Sequence, residues 1–75
     1  MKELLEYIAK ALVDFPEDVT VTEVDGDQTT VLELRVNEAD MGKVIGKQGR
    51  IAKAIRTVMR AAATRQDAKV TVEID

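Results

Sequence analysis

Two glycines three positions apart enclose the residues of this sequence that are best suited to bind an anion. The stretch Gly46-Lys47-Gln48-Gly49 lies between a short apolar segment and a long amphipathic one. Glycine has no Cβ, so a sharp turn is allowed there and a phosphodiester backbone can approach the peptide closely. A helix that begins at Arg50 would direct its unpaired N–H groups toward the same space. The loop therefore predicts a phosphate-binding site, the alternative being an ordinary turn between helices.

Positive charge is concentrated around this loop. The chain of 75 residues has a net charge of −3, which alone argues against a nucleic-acid partner. Residues 1–40, however, hold three basic and eleven acidic side chains, a balance of −8, whereas residues 41–69 hold eight basic and one acidic, a balance of +7. Such asymmetry is typical of proteins that bind a polyanion. A solvated helix face is the alternative interpretation.

Several kinds of chemistry are excluded by what the sequence lacks. It has no cysteine and no histidine, which excludes thiol catalysis and cysteine-ligated metals and removes the commonest general base. The loop is not a P-loop, because Gly42 and Gly46 enclose three residues instead of four and Gln48 occupies the position of the metal-binding hydroxyl. The acidic clusters at 17–18 and 25–27 are typical of caps and turns. We therefore predict that the chain is not an enzyme and binds no cofactor or metal.

The first part of the chain predicts a helix and a β-hairpin. Apolar residues recur at helical spacing from Leu4 onward, and the helix should end near Asp14 because Pro16 disfavours helical geometry before it. Alternation predicts a strand over 19–22. A turn is expected over 25–28, where Asp and Gly tolerate the positive φ of a tight hairpin. A second strand should then contain Leu32, Leu34 and Val36.

The second part predicts two helices and a last strand. Residues 37–40 form an entrance to a short helix that continues through Val44. A longer helix is expected over 50–65 and a strand over 70–74. Helical spacing places the basic residues of the long helix opposite an apolar face, made of Ile51, Ile55, Val58, Met59 and Ala62.

Length and composition limit the architecture. A chain of 75 residues with 45% hydrophobic and 33% charged side chains makes one small globular domain. No apolar run approaches the roughly 20 residues of a membrane span, so we predict no membrane insertion and a cytoplasmic location. Three helices and three strands with apolar stripes are expected to form a two-layer α+β sandwich.

A longer pattern around the loop resembles a known domain. Val44-Ile45-Gly46-x-x-Gly49-x-Ile51-x-x-x-Ile55, in the order α-β-β-α-α-β, resembles the KH domain, which clamps four backbone nucleotides. The stretch from Asp40 to Arg60 is similar to small bacterial single-KH proteins of the KhpA type. The resemblance implies a type II KH fold over residues 1–75, with a three-stranded mixed sheet covered on one face by helices.

The same resemblance implies a function and partners. It implies binding of single-stranded RNA, as an RNA chaperone or regulator. It also implies pairing, either as a homodimer or with a larger KH-containing protein in cell-envelope growth. The alternative is a dimerisation module with the KH fold and little RNA binding, since close helix packing is favoured by five alanines, at positions 52, 54 and 61–63.

The predicted RNA-binding residues lie in the loop and in the helices beside it. Gly46 and Gly49 should allow the RNA backbone to approach closely. Lys47 and Gln48, at the loop tip, should contact phosphate and sugar. The remaining predicted residues flank the loop: Arg50 and Lys53 along the phosphate path, Lys43 on the basic rim, and Val44 and Ile45 in the floor of a base groove or in the core.

Aromatic residues are too scarce to form a base-stacking platform. The chain contains only Tyr7 and Phe15, which the pattern places in or beside the first helix, away from the basic segment. Arg56 and Arg60 could serve either RNA contact or solubility. Binding is therefore expected to be weak and to rest on phosphate contacts, and a weak module gains from acting in pairs.

Overall fold

The computed structural model describes residues 1–74. In this part of the chain the elements follow the predicted order α-β-β-α-α-β. They are α1 (Lys2–Leu12), β1 (Thr20–Asp25), β2 (Thr30–Arg35), α2 (Met41–Ile45), α3 (Arg50–Arg65) and β3 (Val70–Ile74). Short 3₁₀ turns lie between them, at Pro16–Asp18, Glu38–Asp40 and Lys47–Gly49.

The three strands form one sheet with β2 in the centre. Strands β1 and β2 are antiparallel, with Val21 opposite Leu34, and strands β2 and β3 are parallel, with Leu32 opposite Val72. Parallel strands need a crossover connection, which α2 and α3 provide. The mixed three-stranded sheet implied by the resemblance is therefore confirmed.

The core lies between this sheet and the helices. Alternate strand residues face the helices, because successive side chains of a strand point to opposite faces. Thr22 and Thr71, on the other face of the sheet, are exposed. The two-layer α+β arrangement is confirmed by the buried cluster, which contains Leu5, Ala9, Val21, Leu32, Leu34, Ile55, Met59 and Val72.

Helix α1 ends at Leu12, two residues earlier than predicted. The reason is a side chain from a distant part of the chain. The backbone N–H groups of Asp14 and Phe15 donate to the carboxylate of Asp40, at 3.2 and 3.0 Å. Because Asp40 takes these two donors, the helix does not continue through them.

The hairpin between β1 and β2 differs from the tight turn that was predicted. Its loop is wider, and the N–H of Gly26 donates to the carbonyl of Thr29 at 2.8 Å. In the described chain only Gly46 and Gly49 are glycines with positive φ, so the expected positive φ at Gly26 is wrong. A side chain is excluded there for another reason, since a Cβ on Gly26 would lie 2.9 Å from the Thr29 oxygen.

Helix α3 has the predicted bounds, but its buried stripe is rotated. The buried stripe consists of Ala52, Ile55, Met59 and Ala63. Val58, predicted to belong to the core, is 47% exposed. It lies on the side of the helix that faces α1 and solvent. The two alanines of the buried stripe pack within the domain and cannot form an interface, whereas Ala54 and Ala61 are exposed.

Candidate nucleic-acid interface

The first glycine of the loop adopts a conformation that a side chain would disrupt. Gly46 has φ +76° and ψ 173°, a region that is essentially restricted to glycine. A Cβ at Gly46 would lie 2.6 Å from Cγ1 of Ile51. The backbone of the loop is thus in direct contact with the first turn of α3, which fixes where the loop stands relative to the helix.

The loop tip projects from the domain. Lys47 and Gln48 are exposed, whereas Gly46 and Gly49 are half-buried. Gln48 and Gly49 both adopt left-handed conformations, with φ of 59° and 74°, and nothing lies within 4 Å of a Cβ placed on Gly49. The space beside Gly49 is therefore open to a ligand backbone, and the side chains at the tip carry no core contacts.

The residues predicted before the loop have different surroundings. Val44 is completely buried and Ile45 is half-buried, so only Ile45 has apolar surface to offer. The Lys43 ammonium lies 3.1 Å from a carboxylate oxygen of Asp14 and 3.5 Å from one of Asp40. The hydrogen bond to Asp14 and the two negative charges raise the pKa of Lys43.

Asp40 is a functional candidate that the sequence did not reveal. It is completely buried, and burial alone would raise the pKa of its carboxyl. The N–H groups of Asp14 and Phe15, together with the Lys43 ammonium, outweigh that effect and hold the pKa of Asp40 below its ordinary value. The carboxylate therefore stays ionised at neutral pH.

Three of the exposed basic residues of α3 lie on one side of the helix by their spacing, and we call this side the basic face: Lys53, Arg56 and Arg60. It borders β3, because Arg56 Nε donates to the Val72 carbonyl at 3.3 Å. Farther along, Arg60 lines a cavity of about 260 Å³ whose other walls include Lys69 and the hydroxyl-bearing Thr64 and Thr71. The loop leads directly into α3, so that Lys53 follows it by one helical turn and Arg56 and Arg60 lie farther along the same helix.

The other exposed side of α3 is apolar. With α1 it forms a groove of about 560 Å³, the α1–α3 groove, lined by Leu4, Tyr7, Ile8, Leu12, Arg50, Ile51, Ala54, Ile55 and Val58. Tyr7 is 75% exposed there. The prediction that both aromatic rings lie away from the basic segment is wrong for Tyr7, which shares the groove with Arg50. The two residues are 43 positions apart, and only the packing of α1 on α3 brings them together.

The structure brings the predicted residues together unequally. Lys47 and Gln48 at the loop tip and Lys53 on the helix that follows are exposed, the two loop glycines are half-buried, and Arg50 lines the α1–α3 groove. Val44 supports the loop from the core. Lys43 faces carboxylates. Among residues 1–74, no three Asp or Glu side chains come together in a group that could hold a metal ion.

The fold and the loop define a class of protein. A Gly-x-x-Gly turn between two helices, packed on a sheet with one antiparallel and one parallel pair, is the arrangement of a type II KH domain. The chain matches the family described as KhpA/KhpB, KH domain, over residues 2–74. It therefore belongs to the KhpA/KhpB KH-domain family, which is non-enzymatic.

Curated relatives match over nearly their whole length. A protein of Clostridium perfringens named RNA-binding protein KhpA is 68% identical over 74 residues, which are 99% of each chain. Proteins with the same name from Caldanaerobacter subterraneus and Aquifex aeolicus are 58% and 50% identical, with 99% and 94% of their own lengths covered. Family membership agrees with the predicted class of a binding protein.

A solved structure shares the fold. The Era protein of Aquifex aeolicus, in a Y63A variant bound to GDP and AlF4⁻, superposes with a TM-score of 0.67 at 24% identity. The match covers 97% of this chain and 28% of the Era chain. A second Era structure, in complex with MgGDPNP and nucleotides 1506–1542 of 16S ribosomal RNA, gives the same score. The likeness extends to the fold alone.

Within residues 1–74, no helix has both the length and the apolar character that a membrane crossing requires.

Proposed function

We propose that this protein binds single-stranded RNA through the loop Gly46–Gly49 and the basic face of α3. The observation that carries the proposal is the loop itself, which has an open backbone at Gly49 and exposed Lys47 and Gln48 at its tip and leads directly into the helix that bears the basic face. The names of the relatives, all RNA-binding proteins, support the same ligand.

Phosphate recognition follows from the loop. At Gly49 no Cβ obstructs the approach of a strand, and Lys47 adds a flexible point charge close to it. The first turn of α3 contributes the positive end of the helix dipole, which favours an anion. Lys53 lies one turn farther along the helix, so a second phosphate of the same strand would come within its reach.

Base recognition rests on a smaller surface. Ile45 is the half-buried apolar residue before the loop, and the basic face offers Arg56 as a donor whose Nε is already fixed on β3. About four nucleotides fit such a module. Binding with few base-edge contacts is weak and tolerant of sequence, which suits a role as RNA chaperone or regulator in the cytoplasm.

RNA binding is tested directly by titration. A labelled single-stranded RNA of eight nucleotides is added at low salt, and both anisotropy and amide chemical shifts are recorded. We expect saturable binding with a Kd of about 1 μM to 1 mM and shifts concentrated at residues 45–53. A lack of shifts at the loop, or shifts confined to α1, would overturn the proposal.

Pairing of two copies is the second part of the proposal, and the α1–α3 groove supports it. Four large apolar side chains on its walls are exposed, namely Leu4, Tyr7, Leu12 and Val58. Helix α1 carries two Lys and two Glu and is therefore neutral as a whole, so no net charge opposes its approach to a second copy. Across a two-fold axis the exposed apolar walls of the two grooves would meet and bury one another.

A matched pair of variants tests this surface. Val58→Glu places a charge in the groove, whereas Val24→Glu places one on β1 at the same exposure, 47% against 48%. At about 100 μM we expect sedimentation to give a dimer for the wild type and V24E and a monomer for V58E. Monomeric wild-type protein at this concentration would contradict self-pairing and would leave a larger KH-containing protein as the candidate partner.

A further inference from the structure

Asp40 occupies a position where an aspartate ordinarily caps a helix, but it does not do so. It immediately precedes α2, yet its side chain makes no hydrogen bond to the N–H groups of that helix. Instead the two carboxylate oxygens accept one hydrogen bond each, from the N–H groups of Asp14 and Phe15. An ion buried in this way is costly unless it is fully paired. The side chain therefore serves the contact with another segment and not the helix that it begins.

These hydrogen bonds join parts of the chain that are 25 and 26 residues apart. One part is the connection that follows α1, and the other is the entrance to α2. Lys43, one turn after Asp40, forms ion pairs with the carboxylates of both Asp14 and Asp40. A separate, exposed hydrogen bond also joins these connections, from Asn37 Nδ2 to Asp18 Oδ2 at 2.9 Å.

Helix α2 depends on such an anchor. It has five residues, of which one is Gly42 and only Val44 is buried, and a helix of this length has no stability of its own. The first glycine of the loop follows it directly, and the N–H of Gly46 donates to the Gly42 carbonyl at 2.8 Å. The orientation of α2 therefore determines the position of Gly46. On its other side, Gly46 packs against the side chain of Ile51 in α3.

We infer that Asp40 is a positioning residue for RNA binding, which acts by fixing α2 and hence the loop Gly46–Gly49 relative to α3. It is buried and does not touch the RNA. This inference rests on the proposed function, because it names the residue that keeps the loop in its binding geometry. Binding sites lose much of their affinity when supporting contacts let them shift by a fraction of an ångström.

The test replaces Asp40 by a residue of the same shape. In the variant D40N one of the two acceptors becomes an amide that faces a backbone N–H, so at least one hydrogen bond is lost. We expect RNA affinity to fall about tenfold and the amide resonances of Gly46 and Gly49 to move. The measurements are made at 10 °C in sucrose, which favours the compact state, and circular dichroism establishes that D40N is folded.

The control variant is D18A, which removes the exposed hydrogen bond between the same two connections. We expect it to leave RNA affinity within about twofold and the glycine resonances in place. A folded D40N with wild-type affinity and unmoved glycine resonances would overturn the inference. So would a D40N that stays unfolded in sucrose, because Asp40 would then hold the whole fold and not the loop. If the wild type fails to bind RNA, the proposed function fails, whereas the glycine resonances still report on positioning.

Discussion

Helix α3 presents two exposed sides of opposite chemistry, the basic face and the wall of the α1–α3 groove. The first carries Arg56 and Arg60 and lies along β3. The second carries Ala54 and Val58 and lies along α1. Both of these sides remain accessible to solvent after the buried stripe of α3 has packed into the core. Burial of the core therefore does not explain why one exposed side is basic and the other apolar. On the functions proposed above, we expect one side of this helix to contact RNA and the other to contact a second copy of the protein.

The largest effect is expected from reversing the charge at the loop tip. In K47D/Q48D the local charge changes by about −3, and we expect RNA affinity to fall at least about a hundredfold, while assembly through the α1–α3 groove is unchanged. Asp is compatible with the left-handed backbone at Gln48, so the melting temperature should barely move. The measurements are RNA anisotropy, sedimentation and thermal unfolding.

The matched control carries the same charge change far from the loop. K10D/Q28D alters exposed residues of α1 and of the hairpin, and we expect its RNA affinity to stay within a few-fold of the wild type. Equal losses in the two double variants would mean that net charge, and not the loop, governs binding. Unchanged affinity in a folded K47D/Q48D would favour the dimerisation module with little RNA binding.

Salt should separate the two sides of α3. Binding to single strands falls with log salt at a slope of about −0.7 per neutralised phosphate. With two to four contacts, we expect the RNA affinity to fall between about sevenfold and about fiftyfold from 50 to 200 mM salt. Burial of apolar surface is not weakened in this way, so the dimer constant should change little. A flat response of RNA binding would contradict the assignment of phosphate contacts to the loop.

The two loop glycines should differ in what they tolerate. In G46A the new Cβ meets Ile51, which also lines the α1–α3 groove, in a backbone region closed to other residues. We expect a loss of about 2–4 kcal/mol and damage to both RNA binding and pairing. In G49A the position is open and only left-handed strain of about 1 kcal/mol remains. Thermal unfolding checks the order, and equal losses would contradict the close contact of Gly46 with Ile51.

The smallest effect that we expect is on the stability of the folded protein at low pH. It arises from Asp40, which lies on neither exposed side of α3. The folded-state pKa of Asp40 is depressed, so its contribution to stability is present above the unfolded pKa of about 3.9 and is lost as pH falls through the folded value. We expect the melting temperature of the wild type to drop below about pH 4 more steeply than that of D40N. Parallel acid limbs in the two proteins would contradict an ionised Asp40 in the folded state.

The fold could largely be predicted from the sequence because its patterns are local. Alternation marked the strands, and the apolar spacing of α3, bounded by Gly49 and Gln66, predicted its limits without error. The buried residues of that helix were predicted only in part, because Ile55 and Met59 are buried as expected whereas Ala52 and Ala63 are buried in place of Val58. The helical spacing alone is satisfied by either stripe.

The loop could also be predicted, but the support behind it could not. Gly46 and Gly49 stand in a pattern that indicates a ligand, whereas Asp40 reads as a helix cap, which is the commonest use of an aspartate at such a position. The actual partners of Asp40 are the backbone N–H groups of Asp14 and Phe15. Because nearly every residue type carries such a group, no pattern of side chains in the sequence marks these partners. The placement of Tyr7 was missed for a similar reason, since it shares the α1–α3 groove with Arg50 only in the folded chain.

The hydrogen bond from Arg56 to Val72 has a consequence for the behaviour of the protein at high concentration. Strand β3 is the last in the sheet, so among residues 1–74 its outer edge has no strand partner. Open edges of this kind invite strands of other molecules to add to the sheet and form aggregates. Arg56 donates a hydrogen bond to the Val72 carbonyl in the middle of that edge, and its bulky, charged side chain covers the carbonyl. Arg56, which borders the proposed RNA path, is therefore also expected to hinder the addition of strands from other molecules to this edge.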